Sequence, residues 1–251
     1  MIDLKDRLLR DEFSLGSWIT LGHTSIAEIM AKSGFDWLTI DMEHSVIELN
    51  QAQEMIRTIE MNGSVPLVRV GDNDPYLIKR VMDAGSHGVI VPMVNSRQDA
   101  ERAVGAVQYP PKGFRGVGLA RAQQYGFGFE EYKSWLADNS VAIVQIEHIK
   151  AIERLEEILS TPGVDGSIIG PYDLSGSLGY PGEFNRPEVL DALQQYEKVS
   201  KRLKKAMGFH VVQPDPELTN SYKDKGYTFI AVGLDTLYLG GKCRETIAKS
   251  R

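Results

Sequence analysis

Eight short Val- and Ile-rich runs recur along this chain, each followed by a segment of helical periodicity, and that alternation leaves few folds open. The runs are Ser14–Thr20 (SLGSWIT), Trp37–Asp41 (WLTID), Val65–Val70 (VPLVRV), Gly88–Val94 (GVIVPMV), Val141–Glu147 (VAIVQIE), Gly166–Gly170 (GSIIG), Ala206–Val212 and Phe229–Gly233 (FIAVG). Helical patterns follow at Ser25–Lys32, Leu49–Met61, Pro75–Ala84, Arg97–Val107, Ile149–Leu159, Pro187–Lys205, Pro216–Lys225 and Asp235–Ala248. Strands this apolar must be covered on both faces, which calls for a parallel sheet with crossover helices. An open doubly wound sheet is the alternative, but the chain lacks the Gly-rich first turn of that fold. Eight is the closure number of the βα barrel, and 251 residues match its usual size of about 250. The sequence therefore predicts one (βα)8 barrel domain spanning residues 1–251.

Composition narrows the partners. A formal charge of −6 argues against general affinity for nucleic acid or acidic membranes, while leaving room for a locally positive site. Cys243 is the only cysteine, so neither an intrachain disulfide nor a thiolate metal cluster is available. The opening IDLKDRLLRDEF is amphipathic and charged, without a signal-peptide core, and no apolar run reaches membrane-spanning length. A cytoplasmic location is the expectation. One stretch breaks the alternation: Gln108–Asn139 carries Pro110-Pro111, five glycines, Arg115, Arg121 and Tyr125, and is far longer than an ordinary connection. It reads either as a surface excursion with a short helix at Glu130–Ala137, or as an arm that reaches a neighbouring subunit.

In a βα barrel, chemistry sits at the C-terminal strand ends. Here these ends supply Trp18 and Thr20, then Asp41, Glu43 and His44, then Arg69, then Pro92-Met93. Gln145 and Glu147 follow, then Gly170-Pro171-Tyr172-Asp173, His210 or Val212, and Gly233 with Asp235. An apolar strand that ends in titratable groups is costly in a core but ordinary at a catalytic rim. Gln145 and Glu147 alternate with Val144 and Ile146 and so share a face. Glu147 and Asp173 follow adjacent strands and suit a hard divalent ion such as Mg²⁺ or Mn²⁺, which outweighs the alternative of helix caps or surface ion pairs. Arg69 interrupts a buried strand and needs an anionic partner: either an internal bridge to Asp41 or Glu43, or an oxyanion on a substrate.

His44 is the best candidate base, its ordinary pKa lying near working pH. His23, His87, His148 and His210 read as surface or packing residues, and spacing alone gives Asp83, at a helix end, no interior role. No lysine falls in or directly at the end of a strand, so a Schiff-base mechanism has no candidate. No Gly-rich cradle follows strands seven and eight, which argues against a phosphorylated substrate.

Taken together, IDMEH, PLVRV, GVIVPMV, PKGFRGVG with ARA, VQIE and GPYDLSGSLG resemble the metal-dependent (class II) pyruvate aldolases of the HpcH/HpaI family, in order and at suitable spacing from Gly16 to Thr236. That resemblance implies a modified barrel forming a homohexamer, a dimer of trimers, with the last helix exchanged between subunits. It implies reversible cleavage of a 4-hydroxy-2-oxo acid to pyruvate and an aldehyde, with Mg²⁺ or Mn²⁺, and Co²⁺ as a further option. Carried onto this sequence, Glu147 and Asp173 would bind the metal, and His44 would be the base, paired with Asp83. Arg69 would steady the enolate oxygen and Gln145 would touch the oxo acid. Backbone N–H groups around Gly170, Pro171, Tyr172 and Asp173 would hold its carboxylate, Trp18 would wall the pocket, and Arg121 and Tyr125 would reach a neighbour's site. Asp41 and Glu43 would orient His44, Arg69 or water.

Two departures from the family pattern bear on aldehyde choice: Ser45-Val46 stands where Gly-Pro is common, and Tyr172 where Asn is common. The same enolate chemistry also admits a decarboxylase of oxaloacetate-like acids. A catalytically dead barrel serving as a binding protein predicts loss of a ligand or base, yet His44, Arg69, Glu147 and Asp173 are all present.

Overall fold

The computed structural model describes residues 2–251 and closes eight parallel strands into a barrel in sequential order, β1 to β8 and back to β1. The strands are β1 (Ser14–Ile19), β2 (Trp37–Asp41), β3 (Val65–Arg69), β4 (Gly88–Val91), β5 (Val141–Ile146), β6 (Gly166–Ile169), β7 (Ala206–Val211) and β8 (Phe229–Leu234). All eight expected runs are strands, several of them a residue or more shorter at the C-terminal end. No helix of the described residues is long and apolar enough to cross a membrane.

Two apolar layers result from the period-two alternation of side chains. Val68, Val89, Val144 and Ile169 point outward and pack under the helices. Trp37, Val65, Leu67, Ile143, Ile168 and Phe229 point inward and fill the barrel. Trp37 stacks on Phe229 with ring centroids 4.1 Å apart, and its indole occupies the space beside Gly16, where a Cβ would lie 2.1 Å from the ring. The opening helix Leu4–Leu9 closes the N-terminal end of the barrel: Leu4 and Leu8 are buried in the interior layer, and Lys5 pairs with Asp165 at 3.2 Å.

Three helices differ from expectation. Ile149–Leu159 is two short helices, Ile149–Glu153 and Leu155–Leu159, because Arg154 leaves helical geometry at φ −113°. A helix the apolar pattern did not reveal, Pro171–Ser177, begins directly after β6, with Gly170 as its cap and Pro171 at its first position. Within the long excursion, Arg121–Gly126 forms a 3₁₀ turn, with Gln124 and Tyr125 at φ 50° and 58°, and the expected short helix runs Phe129–Asn139. Arg115 secures the root of that excursion. Fully buried, it donates to Val107 O (3.1 Å), Asp83 Oδ1 (3.1 Å), Tyr109 Oη (3.1 Å) and Tyr132 Oη (2.9 Å).

Candidate active site

The inward-facing alternation that places Val65 and Leu67 in the core carries on to Arg69, just as Trp37 and Thr39 lead to Asp41, and Ile143 leads to Gln145 and Glu147. The last inward rung of the barrel is therefore polar while every rung beneath it is packed. A cavity of about 250 Å³ opens there, lined among others by Trp18, His44, Arg69, Gln145, Tyr172 and His210. A larger cavity, about 380 Å³, lies on the outer face between Glu60, His87, Arg121 and Trp135, away from the strand ends. The smaller one is lined by His44, Arg69, Asp173 and His210, titratable groups of the rim.

Strand register makes the first ion pair. Asp41 lies opposite Arg69 across β2 and β3, and the carboxylate accepts from Arg69 Nε (3.0 Å) and Nη2 (2.6 Å). Asp41 Oδ1 also accepts from the backbone N–H groups of Glu43 (3.0 Å) and His44 (3.2 Å). Burial opposes charge on Asp41, but the guanidinium and these two donors outweigh it and hold the carboxyl below its ordinary value. Arg69 Nη1 lies 2.9 Å from Glu43 Oε2, without hydrogen-bond alignment, and the guanidinium sits 4.8 Å from the centre of a Trp18 ring. Of the two readings of Arg69 left open by the sequence, the internal bridge to Asp41 and Glu43 is present, and the guanidinium also lines the cavity.

The carboxylates outnumber the cations. Burial pushes Glu43 up to about 7, against the pull of Arg69 and with the push of Glu147, Asp41 and Asp173. Glu147 is raised as well, by burial and the nearby Asp173, although it accepts from Gln145 Nε2 and from Met93 N (2.7 Å). Met93 makes this contact from φ 52°, a left-handed conformation rare outside glycine. Gly170 lets the next strand end come close: a Cβ there would lie 2.7 Å from Glu147 Oε2 and 2.9 Å from Glu147 Cβ.

These features fit a divalent cation. Asp173 borders the cavity and Glu147 stands behind it, near enough for their charges to repel, and Mg²⁺-type ions held by two such hard oxygen donors complete their shell with water or substrate. Among the described residues no cluster of three or more ligating side chains exists, so any ion here depends on such exogenous oxygens.

His44 projects into the cavity from the loop after β2, its side chain 65% exposed and its Nε2 3.8 Å from Glu43. Pro171 removes one donor from the helix after β6, which leaves the N–H groups of Tyr172 and Asp173 at its unpaired N-terminal turn. Asp83 is not brought to His44 within one chain. It sits in the last turn of the helix Pro75–Asp83, where Arg115 and Gln123 hold it. Nor do Arg121 and Tyr125 reach this chain's own cavity: Arg121 binds Glu60 and Ala84 O, and Tyr125 accepts from Arg57 Nη2 at 2.8 Å.

Sequence reasoning missed two contributors. His210, set aside as a packing residue, does pack on Trp18 at 5.2 Å, but it also lines the cavity. Burial drives its pKa down to about 3, so it is a neutral ring bonded to Gly233 O at 3.0 Å. Its inward position at the end of β7 was the available signal. Met93 gave none, because its role lies in its backbone. His23 and His148 cap helices by accepting from Ser25 N and Lys150 N, each at 3.1 Å.

Comparison with known proteins finds relatives over nearly the whole chain. The family model for HpcH/HpaI aldolase/citrate lyase matches residues 14–239. A 2-dehydro-3,6-dideoxy-6-sulfogluconate aldolase of Pseudomonas putida is 38% identical over 241 residues, covering 96% of this chain and 93% of the relative. The 2-keto-3-deoxy-L-rhamnonate aldolase of Escherichia coli K12 is 37% identical over 246 residues, covering 97% and 91%. Among solved structures, an HpcH/HpaI aldolase/citrate lyase family protein of Burkholderia cenocepacia J2315 superposes with a TM-score of 0.93 at 34% identity, over 100% of both chains.

Proposed function

We propose, from the premise that this chain belongs to the HpcH/HpaI aldolase/citrate lyase family, that the rim cavity carries out a pyruvate aldol reaction with His44 as its base. The chain is a lyase: it cleaves a 4-hydroxy-2-oxo acid reversibly to pyruvate and an aldehyde. The observation that carries the residue assignment is the meeting of His44, Arg69 and Asp173 around one cavity, backed by Glu147.

Glu147 and Asp173 would hold a divalent ion, Mg²⁺ or Mn²⁺ with Co²⁺ as a third candidate, which when bound would supply Lewis-acid polarisation of the 2-oxo group. His44 Nε2 takes a methyl proton of pyruvate in the synthetic direction, and in cleavage it returns that proton. Arg69, held in one orientation by Asp41 and Glu43, faces the oxygen on which charge develops. Because those two partners already fix its plane, little reorganisation is needed when that charge appears. Gln145 holds Glu147 and borders the oxo acid. The N–H groups of Tyr172 and Asp173, behind Gly170 and Pro171, receive the substrate carboxylate, and Trp18 packs beneath.

Asp83, Arg121 and Tyr125 act, in this reading, on the site of a second copy. Exposed Phe114, Val117, Leu119 and Phe127 on the same excursion support an association of subunits. A homohexamer with the Asp235–Ser250 helix exchanged fits the exposure of Leu239 and Ile247 along that helix. The enzyme acts in the cytoplasm on small 2-oxo acids.

The test is exchange of pyruvate methyl protons in D₂O, followed by NMR with and without Mg²⁺, Mn²⁺ or Co²⁺. Exchange that needs metal, is abolished by Glu147→Gln and is slowed roughly 100-fold or more by His44→Ala supports the assignment. Absence of exchange with every metal refutes it. Parallel assays of 4-hydroxy-2-oxo acids and oxaloacetate separate cleavage from decarboxylation.

A further inference from the structure

His210 carries a hydrogen-bonding atom that the pyruvate chemistry leaves unused. It is the last inward residue of β7, and its ring lines the rim cavity together with Trp18, Arg69 and Gln145. Burial, helped by the nearby Arg69 charge, keeps the ring neutral, so one nitrogen carries a proton and the other a bare lone pair.

The backbone decides which nitrogen is which. Nε2 lies 3.0 Å from Gly233 O, and a carbonyl only accepts, so Nε2 is the donor. That carbonyl is itself braced. β1 and β8 shift register between Gly16 and Trp18, and in that step the fully buried Ser17 hydroxyl lies 2.7 Å from Val232 O and 3.2 Å from Gly233 O. Tyr238 Oη also donates to Val232 O, at 2.8 Å. Gly233 turns there at φ 60°, and a Cβ on it would lie 2.6 Å from the Tyr238 ring. A held strand end therefore sets the tautomer, and Nδ1 is left as an acceptor that no group among the described residues engages.

The neighbouring ring offers the complementary atom. Trp18, on which His210 packs at 5.2 Å, has a buried indole N–H without a protein partner. A hydroxyl can engage both kinds of atom, because it donates and accepts. Pyruvate cannot use the free acceptor: its carboxylate and 2-oxo group only accept, and its methyl group is no donor. A hydroxyl enters with the other half of the substrate, either as the C4 hydroxyl of every 4-hydroxy-2-oxo acid or as a further hydroxyl carried by the aldehyde.

We infer that His210, locked as its Nε2–H tautomer, is a substrate-contacting residue whose Nδ1 accepts a hydrogen bond from a hydroxyl of the hydroxy-oxo acid. This rests on the pyruvate aldolase reading above and deepens it.

Two measurements test it. Proton–nitrogen NMR of the histidine rings in the whole enzyme, with His210→Leu used for assignment, should show His210 protonated at Nε2 alone; a proton on Nδ1 overturns the inference. Kinetics at fixed pyruvate then compare glycolaldehyde with propionaldehyde, which carries a methyl group in place of the hydroxyl. Pyruvate methyl exchange, which needs no aldehyde, is followed in parallel. His210→Leu should lower kcat/KM roughly 5- to 10-fold relative to the exchange rate, the worth of one neutral hydrogen bond. A loss confined to glycolaldehyde assigns the bond to the aldehyde's own hydroxyl, and an equal loss with both assigns it to the C4 hydroxyl formed in each. His210→Asn, which offers an amide oxygen near the place of Nδ1, should recover roughly half of the loss or more. A kcat/KM that keeps pace with exchange in His210→Leu, as when Nδ1 meets only water, overturns the inference. So does a loss confined to propionaldehyde, or one as deep in His210→Asn as in His210→Leu, each marking a packing role. Absence of exchange in the unmodified enzyme instead refutes the aldolase reading, and this inference falls with it.

Discussion

Glu43→Gln should make the chelated protein more resistant to denaturant at alkaline pH, and by an amount that depends on pH. In the folded chain Glu43 is raised from 4.5 to about 7, its side chain 16% exposed and faced by Asp41, Glu147 and Asp173. Its folded pKa exceeds the unfolded one, so folding favours the protonated acid. The stability this confers is complete below pH 4.5 and is lost as pH rises through 7. Integrated over that window, a shift of this size corresponds to about 3 kcal/mol. Between pH 5 and pH 8.5 the wild type should lose about 2 to 3 kcal/mol through this one group, which the amide of the variant does not lose.

The readout is the difference in urea midpoint between variant and wild type at the two pH values, in EDTA. Any pH-independent cost of the glutamine cancels in it. For a slope of about 3 kcal/mol/M the expected change is about 1 M in favour of the variant. Adding Mn²⁺ should shrink it, because the cation offsets the repulsion. A midpoint difference identical at pH 5 and pH 8.5 would refute the reasoning, since it would mean that Glu43 ionises freely among its neighbours.

Other perturbations isolate other features of the molecule. Gly170→Ala should weaken Mn²⁺ binding 10- to 100-fold, about 1–3 kcal/mol of overpacking, read by calorimetric titration; its φ of −97° is open to alanine, so the clash with Glu147 is the whole effect. Arg115→Met should cost about 3–5 kcal/mol by removing the cation beside Asp83 and a buried donor to two tyrosine hydroxyls, seen as a fall in Tm of roughly 10 °C. Leu8→Ala, at the barrel's closed end, should destabilise by about 2–5 kcal/mol yet leave pyruvate exchange per folded molecule unchanged.

Much of this was legible in the sequence because a barrel is written in period two. Val65, Leu67 and Arg69 obey one alternation, as do Ile143 and Gln145, so knowing the fold tells which strand-end groups look inward. Contacts that depend on backbone shape were not legible. Met93 reaches Glu147 through its N–H at a left-handed φ, and no side-chain pattern encodes that. The helix Pro171–Ser177 has too few apolar residues to show a period, although Pro171 after Gly170 was a start signal. His210 looked ordinary because a neutral, buried histidine differs from a surface one only in its surroundings. Asp83 was placed beside His44 by resemblance, whereas the single chain gives it to Arg115.

The cross-strand pair Asp41–Arg69 has a consequence for how the chain reaches its native state. In a parallel barrel, sliding β2 or β3 by one residue exchanges inward and outward positions. Such a slip would press a carboxylate or a guanidinium into the layer that holds Ile40 and Val68 beneath the helices. It would also separate groups that meet only in the native alignment, Asp41 opposite Arg69. Misaligned closures are thus penalised twice, by stranded charge and by lost pairing. The pair that borders the cavity should therefore also favour the correct closure, and a variant that neutralises both should assemble with more register errors.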